Sequence, residues 1–189
     1  MIVTMKIKII SFAKLKHSIR AVVLNGSRAS PGAIKDAYQD YDIIYIRSSM
    51  NIKVPRIENT IFSTLIEVRV SDINYGNHLG HDSAVSFFHE ARVRFLKGLG
   101  YSELNIDGFG ILITNLIVNY INEAFYSDKV TIKIGLGEVK KTSIDLIYNA
   151  QLYETDKVLA NAITTITFYD FNKRKAARIP KGFLTSVGL

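Results

Sequence analysis

The chain's chemistry-bearing residues gather in one stretch, Asp72-Ile-Asn-Tyr-Gly-Asn-His-Leu-Gly-His-Asp82. Three of the four histidines lie between His78 and His89, with Asn74 and Asp82 close by. Directly after it the pattern turns helical. Val85, Phe88, Arg92 and Phe95 share one spacing and Ala84, Phe87, Ala91 and Phe95 the neighbouring one, which gives a wide apolar face. A helix from about Asp82 to Lys97, stopped by Gly98 and Gly100, is the expectation. Its N-terminus would offer unpaired backbone N–H groups and a positive dipole end to an oxygen that gains charge. The N–H groups near Asn77, His78 and Gly80 are where such an oxygen would be held.

Two side chains here can move a proton. His81 has an imidazole that is neutral near pH 7 and can activate a water, or it is a half-exposed residue at a helix start. Asp82 is either a helix cap or a general base. Asn74 can orient a water or hydrogen-bond a carbonyl, and is also a common turn former. His78, His81 and Asp82 have a spacing that can chelate, but no fourth ligand follows and Gly80 breaks the helical step. Neither a metal nor a cofactor is expected.

A second constellation lies near the N-terminus. Ala21–Leu24 reads as a short strand ending at Gly26-Ser27, and Tyr41–Ile46 as another, with Asp40 and Asp42 on one face. Two carboxylates on one face can hold Mg²⁺ while a Gly-Ser turn lets backbone approach a phosphate.

The totals narrow the class. With 189 residues, 48% hydrophobic and 22% charged, the chain has the composition of a globular protein with one domain or one plus a fragment. It has no cysteine, which removes disulfides, thiolate metal sites and a cysteine nucleophile. The +7 charge favours an anionic partner or a basic, soluble surface, and no nucleic-acid recognition module is visible. No apolar run reaches the ~20 residues of a membrane span. Lysines interrupt the first sixteen residues, so no signal peptide is expected and the chain reads as cytoplasmic.

The elements that must carry the first stretch follow a regular plan. Phe62–Val70 reads as a strand, then comes the helix, then strands over Phe109–Glu123, Lys129–Val139, Thr142–Glu154 and Val158–Tyr169. Tyr126-Ser127-Asp128, Lys140-Lys141, Thr155-Asp156 and Asn172–Lys175 are turns, and Ile179-Pro180 closes the domain. This is an α+β arrangement, one antiparallel sheet wrapped round one helix.

Asp72-x-Asn74-x-Gly76, then Glu90-Ala91-Arg92 and Leu99-Gly100-Tyr101, resemble the hotdog-fold thioesterases of the 4-hydroxybenzoyl-CoA thioesterase type. The resemblance runs from about Phe62 to Phe183. It implies a hotdog fold, hydrolysis of an acyl-CoA thioester, and a homodimer or homotetramer with sites at subunit boundaries. Asn74 falls where the family carries its acidic residue. An Asp there can serve as nucleophile or base; Asn can do neither, so Asp82 or His81 is left to activate water, with Asn74 positioning it. Lys140 and Lys141, with Lys173, Arg174, Lys175 and Arg178, are candidate contacts for CoA phosphates, or solvated turns.

Gly26, Ser27, Arg28, Ala29 and Gln39-Asp40-Tyr41-Asp42 resemble the start of the aminoglycoside 6-adenylyltransferases, a nucleotidyltransferase family with an α/β fold. The third carboxylate that family uses does not follow, so the two-metal chemistry is incomplete. Residues 1–48 are therefore expected to be a truncated leader, with nucleotidyl transfer by this segment as the alternative, 49–60 a linker with Pro55 as breaker, and 61–189 the hotdog domain.

Overall fold

The computed structural model describes residues 19–25, 42–47 and 54–189. The chain divides into two compact units, Met1–Ile52 and Lys53–Leu189.

In the first unit, β1 (Ile19–Asn25) pairs antiparallel with β2 (Asp42–Arg47). Both expected strands are there, each slightly displaced. Gly26, Ser27, Arg28, Ala29, Gln39, Asp40 and Tyr41 lie outside the described residues, and so does the side chain of Asp42.

The second unit is built from β3 (Thr60–Glu67), α1 (His81–Gly98), β4 (Gly110–Tyr120), β5 (Lys129–Val139), β6 (Ser143–Leu152), β7 (Val158–Asp170), the short β8 (Lys175–Ala176) and α2 (Lys181–Ser186). The strand order is β3-β5-β6-β7-β4, every pairing is antiparallel, and β8 extends the sheet beside β7. This is the hotdog plan: an antiparallel sheet round one long helix.

Alternation decides which face carries the core. Ile132 and Ile134 of β5, Ile144, Leu146 and Tyr148 of β6, and Ala162, Ile166 and Phe168 of β7 occur at every second position and are fully buried. They meet Phe87, Phe88, Ala91, Phe95 and Leu96 on the apolar face of α1. Phe88 packs its ring 5.2 Å from that of Tyr148. Burying a ring of that size stabilises by about 1.5–3 kcal/mol relative to exposure. Of the intervening positions on β6 and β7, two pairs are polar, with Ile147 and Ile163 paired between them: Asn149 Nδ2 donates to Asn161 Oδ1 at 2.8 Å, and Thr165 Oγ1 to Asp145 Oδ1 at 2.6 Å.

Three local expectations change. β3 ends at Glu67, because Val70–Asp72 turns as a 3₁₀ helix locked by Asp72, whose Oδ2 accepts the Arg69 backbone N–H at 2.8 Å. Gly98 stays helical; the left-handed residue past the end is Gly100, at φ 84°. Ile179-Pro180 does not close the domain. Pro180 caps α2, and Phe183 of that helix is fully buried against Tyr101 and Phe168.

Candidate active site

The loop before α1 is held by its own backbone. Asn74 Oδ1 accepts the Gly76 N–H at 2.8 Å, the side-chain turn expected of Asn. Asn74 N–H donates to the His78 carbonyl at 3.0 Å, and Asn77 N–H returns to the Asn74 carbonyl at 3.1 Å. Asn77 takes the left-handed conformation, φ 60°, that closes this turn. A Cβ at Gly76 would lie 2.8 Å from His78 Nε2 and 3.1 Å from Asn74 Oδ1, so the absence of a side chain lets the imidazole and the amide converge over it. His78 Nδ1 lies 3.1 Å from the Leu79 carbonyl. A carbonyl only accepts, so that contact puts the proton on Nδ1 and leaves Nε2 an acceptor when the ring is neutral.

The loop is then pinned to the sheet. Leu79 N–H donates to the Ala124 carbonyl and Gly80 N–H to the Asp72 carbonyl, both at 2.8 Å. The helix starts one residue earlier than the spacing suggests. Gly80 is the N-cap, His81 the first helical residue and Asp82 the second, and no side chain caps the end. Asp82 is thus not the cap; its charge sits inside the first turn, where the dipole favours an anion. A Cβ at Gly80 would come within 2.5 Å of Asp82 Oδ1, so the carboxylate lies back over bare backbone. The first helical bond is Ala84 N–H to Gly80 C=O, at 2.9 Å. Among the described residues no acceptor meets the N–H groups of His81, Asp82 and Ser83, leaving three donors at the exposed end of the helix.

Beside that end opens a cavity of ≈ 270 Å³. Asn74, His78 and His81 line its polar side; Leu79, Ala84, Leu159 and Ala160 form its apolar side, and the segment Tyr120–Ala124 closes it. Tyr120, at the end of β4, donates its hydroxyl to the His81 carbonyl at 2.9 Å and so ties the sheet to the first helical residue. Burial raises the Tyr120 pKa above its ordinary value, with the nearby Asp82 charge pushing the same way.

The sequence-derived residues separate into three groups. Asn74, His78 and His81 share the cavity, and Asp82 stands at its helix-end rim. Asn77 and Gly80 do not line it, and their N–H groups are already used within the loop, so the available donors lie one to three residues further on. Lys140 and Lys141 are elsewhere altogether. They join β5 to β6 at the opposite end of the sheet, where the Lys141 carbonyl accepts the Ile179 N–H at 3.2 Å. Ser143, two residues after Lys141, pairs with Thr167, which is seven steps along β7 from Ala160, ~23 Å at ~3.3 Å per residue, so within one protomer these lysines are remote from the cavity. Tyr120, Asn122 and Glu123 were not singled out by sequence; the only signal was a run of polar residues ending an apolar strand. Among the described residues no three His, Asp or Glu side chains come together as a metal site.

Further along α1, exposed His89 and buried Arg92 share one acidic partner. Arg92 is only 5% exposed and donates Nε to Glu103 Oε1 at 2.6 Å, while His89 Nε2 reaches Glu103 Oε2 at 3.1 Å. Partial burial pushes the Glu103 carboxyl up, but the hydrogen bond and charge of Arg92, then His89, outweigh it and hold the group below its ordinary value.

Comparison with known proteins fits this geometry. Residues 68–187 match the profile described as the Thioesterase-like superfamily, and residues 3–54 that of streptomycin adenylyltransferase. The chain is 24% identical over 123 residues to the acyl-CoA thioesterase YbgC of Haemophilus influenzae, covering 64% of this chain and 89% of that one. Slr0204, a 1,4-dihydroxy-2-naphthoyl-CoA thioesterase from Synechocystis, superposes with a TM-score of 0.62 at 19% identity, over 67% of this chain and 94% of that one. A protein from Aquifex aeolicus, AQ1494, superposes with a TM-score of 0.61 at 22% identity, over 67% and 98%.

Proposed function

The chain belongs to the Thioesterase-like superfamily, and from that premise we propose that it hydrolyses an acyl-CoA thioester to the free acid and CoA. The observation that supports this most is the exposed first turn of α1, whose three N–H donors lie beside an apolar cavity. A thioester carbonyl directed at His81, Asp82 and Ser83 would have its developing negative charge stabilised by those donors and by the helix dipole. Asp82 takes a proton from water as the water oxygen attacks the carbonyl carbon, with His81 as the alternative base. Asn74 Oδ1 is occupied by Gly76, so its Nδ2 is the group that positions the water or the carbonyl. The tetrahedral intermediate then collapses: the C–S bond breaks, the base returns the proton it took from water to the leaving sulfur, and CoA departs as the thiol.

A release-of-thiol assay over a panel of acyl-CoAs tests the reading. Turnover well above the uncatalysed rate for at least one chain length is expected. Binding without turnover would favour a non-catalytic acyl-CoA-binding protein, the reading that Asn74 in place of the family's acid supports.

We further propose a homodimer formed by antiparallel pairing of two β4 edges. β4 is an edge strand, eleven residues without one charge, and it exposes Leu112, Ile113 and Leu116. Exposed edges usually carry charges that prevent such pairing. Antiparallel pairing would lay the partner's basic end alongside this protomer's cavity, which restores Lys140 and Lys141 as CoA contacts across the interface. Light scattering at micromolar concentration should give twice the chain mass or a higher multiple; a monomer would count against both assembly and shared site. Residues 1–48 are proposed as a leader without a role in hydrolysis, so a chain beginning at Glu58 should keep its fold and turnover. We assign the protein to the cytoplasm; among the described residues no helix is long and apolar enough to cross a membrane.

A further inference from the structure

We propose that the cavity accepts a compact, uncharged acyl group of at most about eight carbons, and that Ala160 and Leu159 set this limit; the inference rests on the acyl-CoA reading of the same site. The size follows from the space. At ~30 Å³ for each water-sized group, a cavity of ≈ 270 Å³ holds roughly nine such groups, one of them the carbonyl oxygen, which leaves about eight acyl carbons with the carbonyl carbon included.

The shape follows from small residues at one place in the sheet. On the face that packs against α1, β6 and β7 carry Tyr148, Leu146, Ile166 and Phe168 under the middle and far end of the helix. Near the first turn of α1 the same face carries Ala150 and Ala160, adjacent in register, with Tyr120 opposite Ala160 on β4. Ala84 of α1 and Ala124 bring the count of small buried residues there to four. The gap left between helix and sheet is the cavity, and its floor is firm: Ala124 is 1%, Leu159 3% and Ala160 4% exposed.

The charge preference follows from what lines it. Among the described residues neither lysine nor arginine does, whereas Glu123 does and Asp82 stands at the rim. Against the apolar side formed by Leu79, Ala84, Leu159 and Ala160, a second carboxylate on the acyl group would be buried away from the histidines and helix-end donors that hold the thioester, with Glu123 as like charge in the lining, and burying an unpaired charge is strongly unfavourable. Acyl groups ending in a carboxylate are therefore rejected, while straight, branched or single-ring hydrocarbon groups are taken.

Binding of non-hydrolysable S-alkyl-CoA thioethers, measured by calorimetry on the full-length protein, tests this separately from catalysis. Affinity should rise about fourfold per methylene, from ~0.8 kcal/mol per buried CH₂, and stop rising near eight carbons. Ala160→Val should bring the break one or two carbons earlier and Leu159→Ala should move it later, with melting temperatures confirming that each variant folds. If Ala160→Val does not fold, the wild-type series and Leu159→Ala decide alone. S-(3-carboxypropyl)-CoA should bind at least tenfold more weakly than S-butyl-CoA. A rise that continues past twelve carbons, no dependence on length, or equal binding of the carboxylated analogue would overturn the proposal. A break near eight carbons in a protein that hydrolyses no acyl-CoA would uphold the cavity's specificity and sink the hydrolase reading alone.

Discussion

The helix α1 carries two histidine-and-acid clusters, and they have opposite fates. At its N-terminus His81 and Asp82 are exposed, the helix end has no side-chain cap, and three N–H donors meet no acceptor among the described residues. Two turns on, His89 and Arg92 converge on Glu103, which closes an ion pair over a buried guanidinium. Burial and hydrogen bonding, rather than residue type, separate the two. Groups whose hydrogen-bonding capacity is met hold the loop 101–109 to the helix. Groups whose capacity is left open, next to a cavity, are available to a substrate.

Substitution should pull the clusters apart. Asp82→Asn should lower turnover by roughly 10²–10⁴-fold, the usual worth of a general base, with little change in melting temperature. The same assay on His81→Gln identifies which of the two is the base; near-wild-type turnover in both variants would leave the open cluster without a catalytic role. Glu103→Gln should do the reverse. It leaves Arg92 buried without a countercharge, and breaking a buried pair costs several kcal/mol, reduced here to about 2–3 because Glu103 is partly exposed. Urea unfolding should show that loss, and turnover per folded molecule should be unchanged.

The paired cluster also has a pH signature. Because the folded Glu103 pKa is lowered, its contribution to stability is full above the carboxyl's unfolded value and disappears as pH falls through the folded one. Melting temperature followed downward from pH 6 should therefore drop more steeply in the wild type than in Glu103→Gln. Parallel curves would mean that the ion pair is not what acid breaks.

How much of this can be read without a structure differs between the clusters for the same physical reason. Period-two alternation from Val130 to Phe168 and the helical spacing of Ala84, Phe87, Ala91 and Phe95 are local signals, so the sheet and α1 were legible with their ends shifted by a few residues. The loop Asp72–Asp82 was legible as a candidate site because its residue types are unusual together, and three of them, Asn74, His78 and His81, line one cavity. Partners distant in sequence were not legible. Glu103 lies eleven residues beyond Arg92 in an irregular loop, and nothing local to Arg92 foretells it. Lys140 and Lys141 suggested phosphate contacts by charge, but only strand order and register show that they sit at the other end of the sheet. α2 escaped notice because six residues containing Gly182 make less than two turns, too short for a periodic pattern.

Smaller effects refine the open end. Tyr120→Phe removes the bond to the His81 carbonyl while keeping the ring, so it should reduce turnover by only a few-fold and lower stability by about 1 kcal/mol. Replacing Lys140 and Lys141 together by Ala should raise KM for acyl-CoA a few-fold, more at low salt than at high, with kcat unchanged, provided the partner's basic end serves this site. Truncated acyl-pantetheine substrates, which lack the nucleotide phosphates, should not feel that change.

The central claim is that the open cluster performs chemistry and the closed one holds structure. Turnover of one acyl-CoA of six to eight carbons, measured by thiol release at equal folded concentration for wild type, Asp82→Asn, His81→Gln and Glu103→Gln, tests it directly. The account predicts a loss of at least a hundredfold in Asp82→Asn, or in His81→Gln if that residue is the base, and none in Glu103→Gln. Wild-type turnover in both Asp82→Asn and His81→Gln, or a comparable loss in Glu103→Gln, would contradict it.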